Sequence, residues 1–358
     1  MKKFIAVLCF LFLSIFVSNY SFAEESKHLN ADELKQTEVT SYLQQQITNG
    51  KNLIYCSTFQ LAWNVLWDDL IKAPIELSGN PTIQKMLNKR LTGKEDISED
   101  AYIAMVGFNR DGIVEKIDEA LLKKFNNKQG CNIKLNNPSD FLAYAYLFKN
   151  LEFENKFEDL NSNPISFKDG IKAQTFGIKK YSYEIAKQVK ILHYNNDDDF
   201  VLQLESKSQN DEIILAKIEP KETLLSTVDY VFEQIKNKKT IIVEKGDILK
   251  IPKFDFDIFK KYSELISREF LNKNLKGYFI SDAFQGIKFK LDEKGVVLES
   301  YAAIIGVKSM SGPLETKKLI FDKPFLFCLK EKNGKYPYFV MWVDNAELML
   351  KNKEYFLR

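Results

Sequence analysis

Histidine is almost missing from this chain: two residues, His28 and His193, in 358. That scarcity removes the raw material for a Ser-His-Asp or Cys-His nucleophile system. His28 lies just beyond an export segment, and His193 follows an apolar string and reads as structural. HExxH, CxxC, a phosphate loop and a dinucleotide fingerprint are all absent from the sequence. The run Asp197-Asp198-Asp199 lacks the spaced ligands and the glycine of a calcium loop, and reads as a solvated hairpin turn after Asn195-Asn196. No catalytic residue, metal or cofactor is expected, and an enzyme is disfavoured.

Cysteine is also scarce. Of four, Cys9 lies in the leader, which leaves Cys56, Cys131 and Cys328. These form at most one bridge, so a disulfide framework is excluded. Each sits in an apolar or mixed string, as a buried thiol would. Charge of one sign is lacking too: 51 basic side chains face 49 acidic ones. That balance gives no electrostatic case for nucleic acid or an anionic membrane. Beyond the N-terminus no apolar run approaches spanning length, so no membrane partner is expected of the mature form.

At the start, Lys2 and Lys3 precede an apolar run from Phe4 to Val17, and Ser21-Phe22-Ala23 ends on small residues before Glu24. This is the pattern of a cleavable signal peptide over 1–23, cut after Ala23, and predicts a secreted or periplasmic protein. Residues 24–358 read as one domain.

Helices lead and strands follow. Helices are expected at Asp32 to Asn49, after Ser57 and Thr58 (both candidate caps), from Asn80-Pro81 to Leu91, at Ile113 to Phe125 and at Leu224 to Ile235. Tyr102 to Phe108 reads as a strand, and Phe141 to Phe148 as a central strand buried on both faces. Further strands are expected at Phe200 to Leu204, Glu212 to Ile218, Thr240 to Val243, Ile248 to Phe256, Gly286 to Leu291, Leu319 to Leu329 and Tyr336 to Val343. Without regular alternation, the order predicts an α+β fold with a mostly antiparallel sheet.

Several strings together resemble the serpin superfamily. Phe321-Asp322-Lys323-Pro324-Phe325-Leu326-Phe327 resembles its Pro-Phe-Leu-Phe strand, and Tyr338 to Val343 its last buried strand. Phe289 to Gly295 is similar to the strand and turn that open the reactive loop, and Ile251-Pro252-Lys253-Phe254 to the Leu-Pro-Lys-Phe strand. Asn52 to Ser57 resembles the entry to the second helix, and Ser139 through Lys149 a central strand of the main sheet. The resemblance covers residues 31 to 345. It implies a large, mostly antiparallel central sheet with smaller sheets and few helices, mainly from the N-terminal third.

Departures are informative. A serpin carries about twice as much chain between Leu91 and Ser139. The helix that lies across the front of the main sheet is expected to be missing, with Cys131 to Leu135 a short edge strand. The front of the sheet should then be bare and apolar, open to an oligomer or partner. In the polar cluster beneath the sheet, Ser57 matches a family serine, Gln60 replaces a second and Gln285 replaces a histidine; Gln60 and Gln285 are expected to bond each other.

The resemblance implies a suicide inhibitor of a serine or cysteine endopeptidase, whose cut loop inserts as a new strand. The loop spans about 295–316. Its hinge is Glu293, Gly295, Val296, Leu298, Ser300 and Ala302, the last four lying on the inward period together with Ile304. The bait is Lys308-Ser309, for a trypsin-like protease, or Met310-Ser311, for an elastase- or chymotrypsin-like one. Leu298, Glu299 and Tyr301 are bulkier than family hinges favour. The alternative is a non-inhibitory binding protein with a loop that does not insert.

Overall fold

A computed structural model describes residues 28–236, 238–295 and 316–352. The signal segment 1–23, the hinge residues Val296, Leu298, Ser300 and Ala302, and the bait residues Lys308, Ser309, Met310 and Ser311 lie outside the described residues.

The longest apolar strings pair with one another. In spatial order the wide sheet runs Ile241–Ile242, Val189–Asn196, Asp199–Leu204, Asp211–Lys217, Phe325–Glu331, Phe339–Val343, Asn52–Cys56 and Thr37–Thr40, and only the last pair is parallel. Phe325–Glu331, Phe339–Val343 and Asn52–Cys56 are buried at every residue, which explains their largely apolar sequences. One face, with Ile54, Phe327 and Met341, lies on the main core. The other, with Tyr55, Leu326 and Trp342, is covered by the helix Leu224–Ile235 through Leu224, Val228 and Val231. That helix begins where its sequence says it should: the Thr223 hydroxyl accepts from the Ser226 N–H at 3.1 Å.

The remaining strands form smaller sheets. Lys318–Ile320, Ile248–Pro252, Thr175–Ile178 and Glu158–Asp159 make one; His28–Asn30, Phe254–Lys261 and Phe284–Leu291 make a second. Among the described residues Tyr102–Phe108 pairs only with Phe141–Leu147, antiparallel. The helix Thr58–Val65 continues into wider turns over Leu66–Ile71; Thr82–Leu87 and Ile113–Phe125 follow. The result is the α+β architecture with a large sheet and few helices that the sequence implies.

Several expectations fail for physical reasons. Asp32 to Asn49 is not a helix. A single 3₁₀ turn, Ala31–Glu33, gives way to the strand Thr37–Thr40, whose β-branched residues join the edge of the wide sheet. Ser57 does not cap its helix: its backbone is already helical and its side chain makes no capping bond. Cys131 to Leu135 carries no strand; the Cys131 N–H donates to Asp118 Oδ1 at 2.7 Å, and Cys131 and Leu135 pack beside the helix Ile113–Phe125.

Phe141–Leu147 is only half-buried along its length. One face, with Phe141 and Ala143, packs towards Trp63 of the helix Thr58–Val65. On the other, Tyr144 and Tyr146 meet Ile113, Ile117 and Leu121. The helix Ile113–Phe125 therefore lies across the front of this pair, so the expected bare apolar face is not there. The front of Phe284–Leu291 is open but mixed, with Phe284 and Lys288 exposed and Lys290 half-buried. Neither surface is the apolar one that called for an oligomer or partner.

Candidate functional site

Two strands are each paired on a single edge. Phe141–Leu147 bonds only to Tyr102–Phe108, and Phe284–Leu291 only to Phe254–Lys261, among the described residues. Both rest on the helix Thr58–Val65. Ala145 and Leu147 pack against the same core as Ile287 and Phe289.

The two are tied together at both ends. At one end Phe141 meets Phe270 at 5.7 Å and Tyr278 at 5.9 Å between ring centroids. Tyr278 lies shortly upstream of Phe284. At the other end Phe153 N–H donates to Lys294 O at 3.2 Å and Phe157 N–H to Glu293 O at 2.8 Å. Both strands thus run from the aromatic end towards Gly295, parallel to one another. A strand turning back after Gly295 would be antiparallel to both, the arrangement that a tight turn permits.

Gly295 sits at that turn with φ +104°. A Cβ there would stand 2.6 Å from Phe153 N and 2.7 Å from Leu151 O, so only glycine allows the approach. Beside it, the almost fully buried Lys253 Nζ bonds Glu293 Oε2 at 2.5 Å and lies 3.2 Å from Asp159 Oδ2. Burial works to raise the Glu293 pKa, but Lys253, a backbone N–H and Lys156 together outweigh it and hold the carboxyl below its ordinary range. Stability from this pair is present above about pH 4.3, the unfolded glutamate value, and is lost as pH falls towards the folded pKa. Urea unfolding between pH 7 and pH 3 should show this fall, and Glu293→Gln should make it shallower. An unchanged acid limb would remove the pair from the account.

The polar cluster is present in different pairings. Ser57, Gln60 and Gln285 are all buried. Gln60 and Gln285 do not bond each other. Gln60 Nε2 donates to Asn64 Oδ1 and Leu87 O, both at 2.9 Å. Gln285 Nε2 donates to Cys56 O at 3.0 Å and Thr58 Oγ1 at 2.6 Å, and its Oε1 accepts from Tyr262 at 2.8 Å. Gln285 therefore ties Phe284–Leu291 to the start of the underlying helix, and the Ser57 hydroxyl has no partner among the described residues.

A second charged cluster was not foreseen. Lys149, just past Phe141–Leu147, reaches Asp211 Oδ1 at 2.9 Å and also pairs with Glu331. Ser98 and Tyr338 donate to those two carboxylates. Its signal in the sequence was a lone lysine closing a long apolar run. Of the histidines, His193 Nε2 lies 3.5 Å from Asp199 Oδ1 on adjoining strands. Cys56, Cys131 and Cys328 are free, and burial pushes their thiols up. Among the described residues no group of side chains has a metal-binding arrangement.

Neither a protein-family model nor a curated protein matches the sequence; the likeness is structural. Tengpin, a thermophilic serpin solved in its native state, is 12% identical, with a TM-score of 0.52 over 90% of this chain and 100% of its own. Serpin48 of the insect Tenebrio molitor is 14% identical, with a TM-score of 0.41 over 82% and 74%. The mouse protein-Z dependent protease inhibitor is 18% identical, with a TM-score of 0.40 over 66% and 64%. With its wide sheet, its two singly paired strands over one helix and its glycine turn leading into residues 296–315, the chain has the serpin fold.

Proposed function

We propose that this is an exported inhibitor of a serine endopeptidase, working by insertion of a cut loop. The observation that carries the reading is the pair of parallel, singly bonded edges over a shared core, with Gly295 turning the chain back beside one of them. Seven residues of strand, about 23 Å, would match Phe141–Leu147. Inserted from Val296 onward, the cut loop would supply them, and a period of two would direct Val296, Leu298, Ser300 and Ala302 at the core. The bait bonds Lys308-Ser309 and Met310-Ser311 lie further along, so a cut there leaves enough chain to insert. The acyl bond to the protease would be carried along with the moving strand, and the inhibitor needs no nucleophile of its own.

Incubation with trypsin should give a covalent complex that survives denaturing electrophoresis and disappears with Lys308→Ala. An elastase- or chymotrypsin-type enzyme should do the same through Met310. Cleavage at these bonds with no retained complex would defeat the proposal. The bulky Leu298, Glu299 and Tyr301 would then mark a loop that does not insert, in a binding protein built on the same fold.

A further inference from the structure

The strand that receives the chain after residues 296–315 belongs to the sheet of Lys318–Ile320, Ile248–Pro252, Thr175–Ile178 and Glu158–Asp159. Leu319, Leu249, Ile251, Phe176 and Ile178 point inward and are fully buried. Alternation along a strand then turns Lys318, Ile320, Ile248 and Lys250 to the outer face, where Lys318 is exposed and the other three are half-buried. The register sets Ile248 beside Lys318, and Lys250 beside Gly177, which has no side chain to cover it. Just past Ile178, Lys179 and Lys180 are exposed, and so are Tyr181 and Tyr183.

Lys179, Lys180, Lys250 and Lys318 have no ion-pair partner among the described residues, and the acids around them are bonded elsewhere in the fold. Asp198 and Asp322 hold the buried Lys217, and Asp198 also Lys323. Asp247 and Glu244 share Lys317, and Asp197 accepts from the Lys318 N–H at 2.9 Å. Glu158 accepts from the N–H groups of Lys179 and Lys180 at 2.9 and 2.8 Å. Burial, and then the Lys179 ammonium close by, pull the Lys250 pKa below its ordinary value against the opposing Asp322. Position and composition narrow the partner. Lys308 is ten residues from Lys318, about 35 Å of chain at full stretch. An endopeptidase of about 230 residues is roughly 45 Å across, so one that grips the bait reaches this face. Half-buried isoleucines between the lysines, with tyrosines beside them, suit a protein surface better than a sulphated polysaccharide. We propose that Lys179, Lys180, Lys250 and Lys318 form a docking face for an acidic surface of the target endopeptidase, which speeds its encounter with the bait. This rests on the reading of the chain as an endopeptidase inhibitor.

The test incubates the mature chain with an anionic and with a cationic trypsin and follows the second-order rate of cutting at Lys308, the sole lysine or arginine in 296–315, by fragment mass. Each rate is taken relative to that enzyme's rate on a short neutral peptide. The anionic enzyme should be the faster at low salt, and its rate should fall about tenfold between about 0.02 M and 0.5 M salt. Lys179→Ala with Lys250→Ala should slow it about fivefold at low salt and leave the cationic enzyme unchanged. Lys85→Ala, on the helix Thr82–Leu87 over a separate core, should change neither. Equal salt dependence for the two enzymes, or indifference to the double variant, overturns the proposal. Indifference joined to lost retention on immobilised heparin would overturn it too and give the face to a polyanion. Lys179→Ala alone, at an exposed position, decides the matter even where Lys250→Ala disturbs the sheet. The inhibitor reading is judged separately, by whether the enzyme is retained after the cut; no cutting at Lys308 by either enzyme overturns both.

Discussion

Replacing Lys149 with methionine should lower the unfolding free energy by about 3–5 kcal/mol at neutral pH, the usual loss when one partner of a buried ion pair is removed. The side chains of Lys149, Asp211 and Glu331 are 13%, 4% and 10% exposed, so the lysine is the cation that neutralises two carboxylates sheltered from water. Burial alone would raise Glu331, yet Lys149 and Ser98 hold it below the ordinary glutamate range. Without the lysine, Glu331 would titrate upward. The deficit of the variant should therefore shrink as pH drops and Glu331 becomes neutral. Adding Glu331→Gln to Lys149→Met should recover part of the loss. Denaturant titrations at pH 7 and pH 4 test both statements; a single-variant loss below about 1 kcal/mol would mean that the cluster is solvated like a surface pair. The position matters because Lys149 anchors the end of Phe141–Leu147 to the wide sheet through Asp211 and Glu331.

What could be read from the sequence followed the range of the forces involved. The helices Ile113–Phe125 and Leu224–Ile235 were legible because helical spacing of apolar residues is a local pattern. Phe325–Glu331 and Phe339–Val343 were legible because strands covered on both faces have no polar side to disguise them. Thr37–Thr40 was not, since its pairing with Asn52–Cys56 is decided by the sheet it joins. Phe141–Leu147 misled in a particular way. Its outward tyrosines are apolar because a helix covers them, which from sequence alone looks the same as a strand buried among other strands. The glutamines show the same limit: Gln285 was identified as a buried polar residue, but its partners Tyr262 and Thr58 come from distant segments. Lys253 stood in a recognisable string, while its bond to Glu293 depends on how two strand ends meet.

Cutting the chain within residues 296–315 should raise the melting temperature by about 10 °C if the proposed insertion occurs. Ordering seven more residues costs about 1–2 kcal/mol each. New backbone bonds to both open edges, at about 1 kcal/mol apiece, roughly offset that. The net gain then comes from burying Val296, Leu298 and Ala302, about 5 kcal/mol together. For a chain this long, each kcal/mol moves the midpoint by roughly 2 °C. Calorimetry of intact and nicked protein measures the shift, and amide exchange locates it: Phe141–Leu147 and Phe284–Leu291 should gain protection together, because the new strand would bond to both. Leu298→Asp would put an unpaired charge on the shared core after insertion and should abolish the rise. A nicked protein that melts no higher than the intact one, with both edges still exchanging freely, would mean that the opening between these strands is not a seat for the loop.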